Sequence, residues 1–211
     1  LAAPAAKRAS PLQVQTPTSL VGVRGTQFRV AFDDPNGKNA RTEVVAGLVR
    51  ADNPAQGSGA DLPKGTGAVV NPAQREVAVV KLLPAPDVAA LADSVSRSTG
   101  AAGPALWPIP ALPGASAYRV QLASDEKFDQ LVRDLRVAAA PSGQSADLSS
   151  LANGNWYTRV RGIDGIGLEG FDAVKLVRLS DGRITLIWPG QVAVDATARY
   201  VNGGTRLDIQ R

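Results

Sequence analysis

The chain has 211 residues, and 44% of them are hydrophobic, which is enough for packed cores and argues against a disordered tail. It contains no cysteine, histidine or methionine. These absences exclude disulfides, thiol nucleophiles, thiolate zinc sites and every catalytic site built on histidine. The net charge of +4 comes mostly from dispersed arginines, so nucleic-acid binding, which needs clustered cations, is not expected.

The start of the chain indicates export. The absence of an initial methionine indicates a processed or trimmed chain, and Leu1–Ala6 is small and apolar, as expected around a signal-peptide cleavage site or in a linker. No run reaches the ~18–20 apolar residues of a membrane-spanning helix. We therefore expect a chain that lies outside the cytoplasm and does not itself span a membrane.

The first half of the chain predicts a β-hairpin followed by a third strand. Residues 16–33 and 40–51 are the two hairpin strands, and the Asn-Gly turn between them favours positive φ. Residues 76–83 predict the third strand. The acidic residues of the turn lack the spacing of a calcium-binding loop, so no metal site is predicted. Glycine (21) and proline (15) punctuate these short segments, as in an all-β protein.

The second half predicts another β module. Residues 84–103 are rich in Pro, Gly, Ser and Thr and predict an interdomain linker, with a short helical piece over residues 87–95. Residues 104–178 then predict further strands. In the clearest of them, 155–164, the alternation places Trp156 on the face opposite Tyr157.

Five residues are candidates for an interaction surface, because Tyr and Arg are enriched at the centres of protein interfaces. They are Arg24, Tyr157, Arg159, Arg161 and Trp188. For the arginines, an ordinary solvated sheet face or a structural salt bridge is the alternative. Trp107 and Trp156 are expected in a core, whereas Trp188, beside Pro189-Gly190, is expected to be exposed. No catalytic, cofactor-binding or metal-binding residue is predicted, and we expect neither a cofactor nor an enzyme.

Two stretches resemble known modules. Thr16-Pro17 followed by Val23–Val30 (VRGTQFRV) resembles the FecR domain, a bacterial periplasmic β domain. Trp107, residues 117–123 (AYRVQLA) and residues 154–161 (GNWYTRVR) resemble a fibronectin type III-like sandwich. The resemblance implies contact with other components of a Gram-negative cell envelope.

The C-terminal segment departs from the FecR order. Residues 179–211 resemble strands that precede the VRGT strand in that family, so we expect them to complete a FecR-type domain with residues 10–83. A circular permutation, an altered order of segments, or completion by a neighbouring chain would each account for this order. The predicted organisation is therefore residues 10–83 with 179–211, a linker over 84–103, and a sandwich over 104–178.

The favoured function is a non-catalytic periplasmic scaffold that binds other envelope proteins, alone or in a larger assembly. The resemblance also implies an alternative, a FecR-type signalling module that relays from an outer-membrane receptor. A third hypothesis is a peptidoglycan- or glycan-binding module that uses Trp188 and Tyr157. Direct wall anchoring would need a separate module, such as the LysM module that often accompanies this family and is not seen here.

Overall fold

The structure is a computed structural model that describes residues 12–23, 27–33, 39–101, 103–181, 184–186, 194–201 and 204–209. Every regular element in these ranges is a β-strand, as the composition and turn pattern predicted. In the same ranges, no helix has the length and apolarity that crossing a bilayer requires. The chain divides into two compact units, which are described separately.

The first unit contains the residues up to Pro84 together with the segment Ile163–Phe171. Its described strands are β1 (Leu12–Gln15), β2 (Leu20–Val23), β3 (Gln27–Asp33), β4 (Asn39–Ala46), β5 (Leu48–Asn53), β6 (Ser58–Pro63), β7 (Thr66–Val70) and β8 (Val80–Lys81). They form two four-stranded antiparallel sheets of order β1-β2-β5-β6 and β3-β4-β7-β8. Both sheets contribute side chains to one buried core, so this unit is a β-sandwich.

The predicted hairpin is confirmed, since β3 pairs with β4 and Asp33 lies opposite Asn39. The predicted return strand over residues 40–51 is instead two strands. Gly47, with a φ of 86°, separates β4 from β5 and lets the chain pass from one sheet to the other. In the predicted strand over residues 76–83, only Val80–Lys81 forms ladder pairs.

The second unit contains Ala85–Gly162 and the residues from Asp172 onward. Its described strands are β9 (Ser94–Ala101), β10 (Leu106–Ile109), β11 (Ala117–Ala123), β12 (Leu131–Ala138), β13 (Gln144–Asp147), β14 (Gly154–Ile163), β15 (Ala173–Asp181), β16 (Ile184–Leu186), β17 (Val194–Val201) and β18 (Gly204–Ile209). A five-stranded sheet of order β12-β11-β14-β15-β9 shares a core with the β10-β13 pair. Trp107 lies at the centre of this core, and Trp156 packs against it, as expected for both.

The prediction of a linker over residues 84–103 is wrong. Residues 94–101 are β9, which pairs in parallel with β15. Val88 and Val95 are buried in the core of the second unit. The predicted helical piece is a single turn, closed by the Leu91 amide donating to the Val88 carbonyl. Burial of these two valines offsets the ordering of a segment whose composition suggested flexibility.

The predicted boundary at residue 179 is also wrong. β15 continues to Asp181 because Ala173, Val177 and Leu179 keep alternating into the core. The strands β16, β17 and β18 pair with one another as an antiparallel sheet. Among the described residues, none of them pairs with a strand between residues 12 and 83. Among the described residues, the expected completion of the N-terminal sandwich by residues 179–211 is therefore not observed.

Candidate interaction surface

The structure divides the five sequence-predicted surface residues into three groups. Tyr157 and Arg159 lie half-buried on the face of β14 opposite Trp156, as the alternation predicted. Arg161 lies on the same side of the strand but is only 4% exposed. Arg24 and Trp188 lie outside the described residues.

The face that carries Tyr157 also carries an exposed apolar pair. In the β14–β15 ladder, Tyr157 lies opposite Leu176 and Arg159 lies opposite Val174. Val174 is 51% exposed and Leu176 is 45% exposed. Arg178, two residues further along β15, is exposed on the same side. These five residues define what we call the outer face: Tyr157, Arg159, Val174, Leu176 and Arg178.

Arg159 is held in place on the outer face by two residues, one on the adjacent strand β11 and one in the loop that follows β11. Its Nε and Nη2 atoms donate to Oε1 of Gln121 at 3.0 and 2.7 Å. Its guanidinium carbon lies 4.3 Å from the centre of the Phe128 ring, a cation–π arrangement. A guanidinium fixed in this way loses little further freedom when a partner binds.

The Phe128 ring is positioned by a loop that Asp125 organises. The Asp125 carboxylate accepts hydrogen bonds from the backbone amides of Lys127, Asp129 and Gln130. These bonds lower the pKa of Asp125 below its usual value, and the bond from the Gln130 amide has the largest effect. Phe128 itself has a φ of 61°, which is uncommon for a bulky residue. The turn contains no helix.

Arg161 has a structural role, and its assignment to an accessible surface is wrong. Its Nη1 atom forms a 2.7 Å salt bridge with Asp172, and its Nη2 atom donates to Gln121 at 2.9 Å. A buried guanidinium needs such partners, because its desolvation is otherwise costly. The strand periodicity places Arg159 and Arg161 on one side, but only Arg159 remains partly accessible.

A second polar cluster, in the first unit, was not predicted from the sequence. Glu43 on β4 lies opposite Arg29 on β3 and is only 2% exposed. Glu43 Oε2 lies 3.6 Å from Arg29 Nε, and Glu43 Oε1 accepts the backbone amide of Glu169 at 3.2 Å. The only feature of the sequence that could have indicated this cluster is the hairpin register, which makes Arg29 and Glu43 cross-strand neighbours. The segment that covers Glu43 contains Glu169, 126 residues further along the chain.

The burial of Glu43 makes stability depend on pH. Desolvation raises the pKa of the Glu43 carboxyl from 4.5 to about 6, although the Glu169 amide and Arg29 act in the opposite direction. The folded state therefore binds the proton more tightly than the unfolded chain. This contribution is fully present below pH 4.5 and is lost as the pH rises through about 6.

We expect the free energy of unfolding of the first unit to fall by about 2 kcal/mol between pH 4.5 and pH 7 through this group. Urea denaturation at a series of pH values measures it, and Glu43→Gln should abolish the slope. The pKa values of Asp125, Asp134 and Asp147 are lowered from 3.8. Protonation of these three groups therefore changes the stability only at pH values below the range from 4.5 to 7. Equal slopes in the wild-type and Glu43→Gln proteins would contradict the prediction.

Comparison with protein-family models finds a match to the N-terminal part of the chain. Residues 2–50 match the FecR protein family, over a range that includes β1 to β4 and the start of β5. The match supports a FecR domain in this part of the chain; the family is regulatory and associated with the bacterial envelope. The chain has no significant sequence match among curated proteins.

Proposed function

We propose that this chain is a non-catalytic interaction module of the bacterial periplasm that binds other envelope proteins through the outer face. The observation that carries the proposal is the exposed pair Val174 and Leu176, which lies directly beside Tyr157 and Arg159. Solvated sheet faces usually carry polar side chains at such positions. Apolar side chains grouped beside Tyr and Arg are typical of protein interfaces.

The two modules support an envelope role. The FecR match over residues 2–50 supports an exported, non-enzymatic protein. The second unit, with a five-stranded sheet that shares a core with a two-stranded one, supports the fibronectin type III-like assignment. Such modules commonly serve as spacers and binding units, because their sheet faces and loops vary without loss of the core.

The outer face should provide a measurable part of the binding energy. Val174 and Leu176 are about half exposed, so covering them contributes about 1 kcal/mol each. The double substitution Val174→Ser with Leu176→Ser should therefore weaken binding of the partner about thirtyfold. Because both side chains are exposed, the stability of the chain should change by less than about 1 kcal/mol.

In-cell photo-crosslinking identifies the partner and tests the site. A photoreactive amino acid at position 176, on the outer face, should capture one or two envelope proteins at fixed stoichiometry. The matched control is position 106, because Leu106 is exposed to a similar degree on β10, away from the outer face. The proposal fails if both positions capture the same proteins, or if position 176 captures none.

FecR-type signalling is the second candidate, and the family match favours it. In that case the protein captured at position 176 would be an outer-membrane receptor or the periplasmic part of a transcription regulator. Loss of the gene would then change transcription of the receptor's target genes. If the protein is a scaffold, loss of the gene should instead disrupt an envelope assembly without changing the transcription of these genes.

A further inference from the structure

One edge of the five-stranded sheet is open in the described part of the chain. Strand β12 pairs with β11 on one side and, within the described residues, with no strand on the other. The backbone N–H and C=O groups along such an edge can pair with a further strand. We infer that β12 is a self-association site, at which the β12 strands of two copies of this chain pair antiparallel about a two-fold axis. The site is separate from the outer face, which lies on β14 and β15, and goes beyond the proposed function.

The charges on β12 and its neighbour β11 are not balanced. Arg119 and Arg136 lie directly opposite each other in the β11–β12 ladder, an arrangement that is unfavourable for like charges. The Asp134 carboxylate accepts hydrogen bonds from Arg119 Nε and Nη2 at 2.8 and 2.7 Å. Arg136 is exposed, and its side chain forms no hydrogen bond or ion pair with any described residue. A carboxylate from outside the chain would therefore be favourable beside Arg136.

A second copy of β12 supplies this carboxylate in one register. Apart from a shift at its start, the pairing of β12 with β11 is regular over residues 133–138. A two-fold axis normal to the sheet keeps every side chain on its own side, so facing residues are an even number of positions apart in the sequence. With the axis at Leu135, Asp134 lies opposite Arg136 of the second copy. The symmetry forms this unlike pair twice.

Other registers over residues 133–138 lack this complementarity. An axis at Arg133, Asp134 or Arg136 places identical charges directly opposite each other, which is destabilising. An axis at Val137 or Ala138 leaves the charges of β12 opposite uncharged residues. The register centred on Leu135 is therefore favoured by charge, and it places Arg133 opposite the small apolar Val137.

The charged residues of an edge strand can also protect it against pairing. Such protection works when the charges repel those of an approaching copy. On β12 the two charges that share one side of the sheet, Asp134 and Arg136, have opposite signs and stand two positions apart. An antiparallel copy centred between them is therefore attracted rather than repelled.

The dimer would present two outer faces on the same side of one continuous sheet. Because the axis is normal to the sheet, each copy contributes its five strands with the same side up. The two β14 strands would lie about five strand spacings, or ~24 Å, apart. A partner with two binding segments at this distance would bind bivalently and more tightly. This consequence rests on the proposed function, whereas the dimer itself does not.

Sedimentation equilibrium of the full chain tests the dimer by exchanging charges. The wild-type chain should show a monomer–dimer equilibrium. Arg136→Asp places a carboxylate opposite Asp134 of the second copy and should weaken dimerisation at least about tenfold. Adding Asp134→Arg exchanges the two charges, restores both unlike pairs and should return the Kd to within about threefold of the wild-type value. In both variants the carboxylate at position 136 faces Arg119, which favours the folded state.

Two outcomes of this measurement overturn the inference. One is a wild-type chain that stays monomeric at ~1 mM. The other is a folded double variant that dimerises no better than Arg136→Asp. No partner protein takes part in this measurement, so it is independent of crosslinking at position 176, which tests the proposed function.

Cysteine crosslinking tests the register, because the chain contains no cysteine of its own. Leu135→Cys should form an intermolecular disulfide in a glutathione redox buffer, since residues directly opposite have Cβ atoms ~4.5–5.5 Å apart. Arg133→Cys is the control: in the same register its two copies are four positions, or ~14 Å, apart along the strands and should not crosslink. Equal crosslinking of the two variants, or none by Leu135→Cys, would also overturn the inference.

Discussion

Replacement of Trp107 by alanine should lower the free energy of unfolding of the second unit by about 3–5 kcal/mol. Trp107 is 1% exposed and lies in the core shared by the β10-β13 pair and the five-stranded sheet. Its removal leaves a large cavity between two sheets. This cavity can be filled only if whole strands move towards each other. Differential scanning calorimetry measures the loss as a fall in the transition temperature of this unit.

The matched control for Trp107→Ala is Leu106→Ala, on the same strand. Leu106 is the neighbouring residue and is 55% exposed, so its truncation should change stability by no more than about 0.5 kcal/mol. The variant Trp107→Phe adds a further test. The indole Nε1–H has no acceptor among the described residues, so removing this donor should offset part of the lost volume. Similar losses for Trp107→Ala and Leu106→Ala would show that the ring is not central to the core.

Substitution of Gly170 by alanine should destabilise the first unit by about 3 kcal/mol, near the upper end of the range for overpacking. The added Cβ would lie 2.5 Å from the Leu83 carbonyl oxygen and 2.9 Å from its Cβ. Main-chain atoms cannot rotate away, so the segment Leu168–Phe171 must move and weaken its hydrogen bonds to Arg29 and Glu43. Urea denaturation gives the loss, and faster hydrogen exchange at residues 169 and 171 locates it.

Gly165→Ala is the control within the same segment. A Cβ at Gly165 has no heavy atom within 4 Å, so this substitution should be neutral or slightly stabilising through the unfolded state. The contrast separates a steric effect at one position from a general need for glycine in the segment. If Gly165→Ala destabilised as much as Gly170→Ala, the close approach to Leu83 would not be the cause.

The local patterns of the sequence were sufficient for several elements. The hairpin of β3 and β4 follows from alternation and an Asn-Gly turn, which depend only on neighbouring residues. The alternation in β14 correctly placed Trp156 and Tyr157 on opposite faces. The burial of Trp107 followed from its size and apolar character.

The candidate sites could not be predicted from these local patterns alone. Arg159 and Arg161 have the same periodicity, yet only Arg161 is almost fully buried, where it bonds to Asp172, 11 residues away in the sequence, and to Gln121, 40 residues away. Leu176 and Val174 became part of the outer face only through their register with β14. The burial of Glu43 depends on residues 168–171, which no local pattern connects to β4.

By itself, the sequence determined the all-β class, the hairpin of the first unit, the faces of β14 and a core around Trp107. The tertiary structure decided that residues 94–101 form a strand, that β15 continues to Asp181, and that residues 163–171 belong to the first unit. The physical reason is the range of the interactions. Alternation and turn chemistry act between residues close in the chain. The burial of Glu43, Arg161 and Leu168 depends on contacts between segments that only the fold brings together.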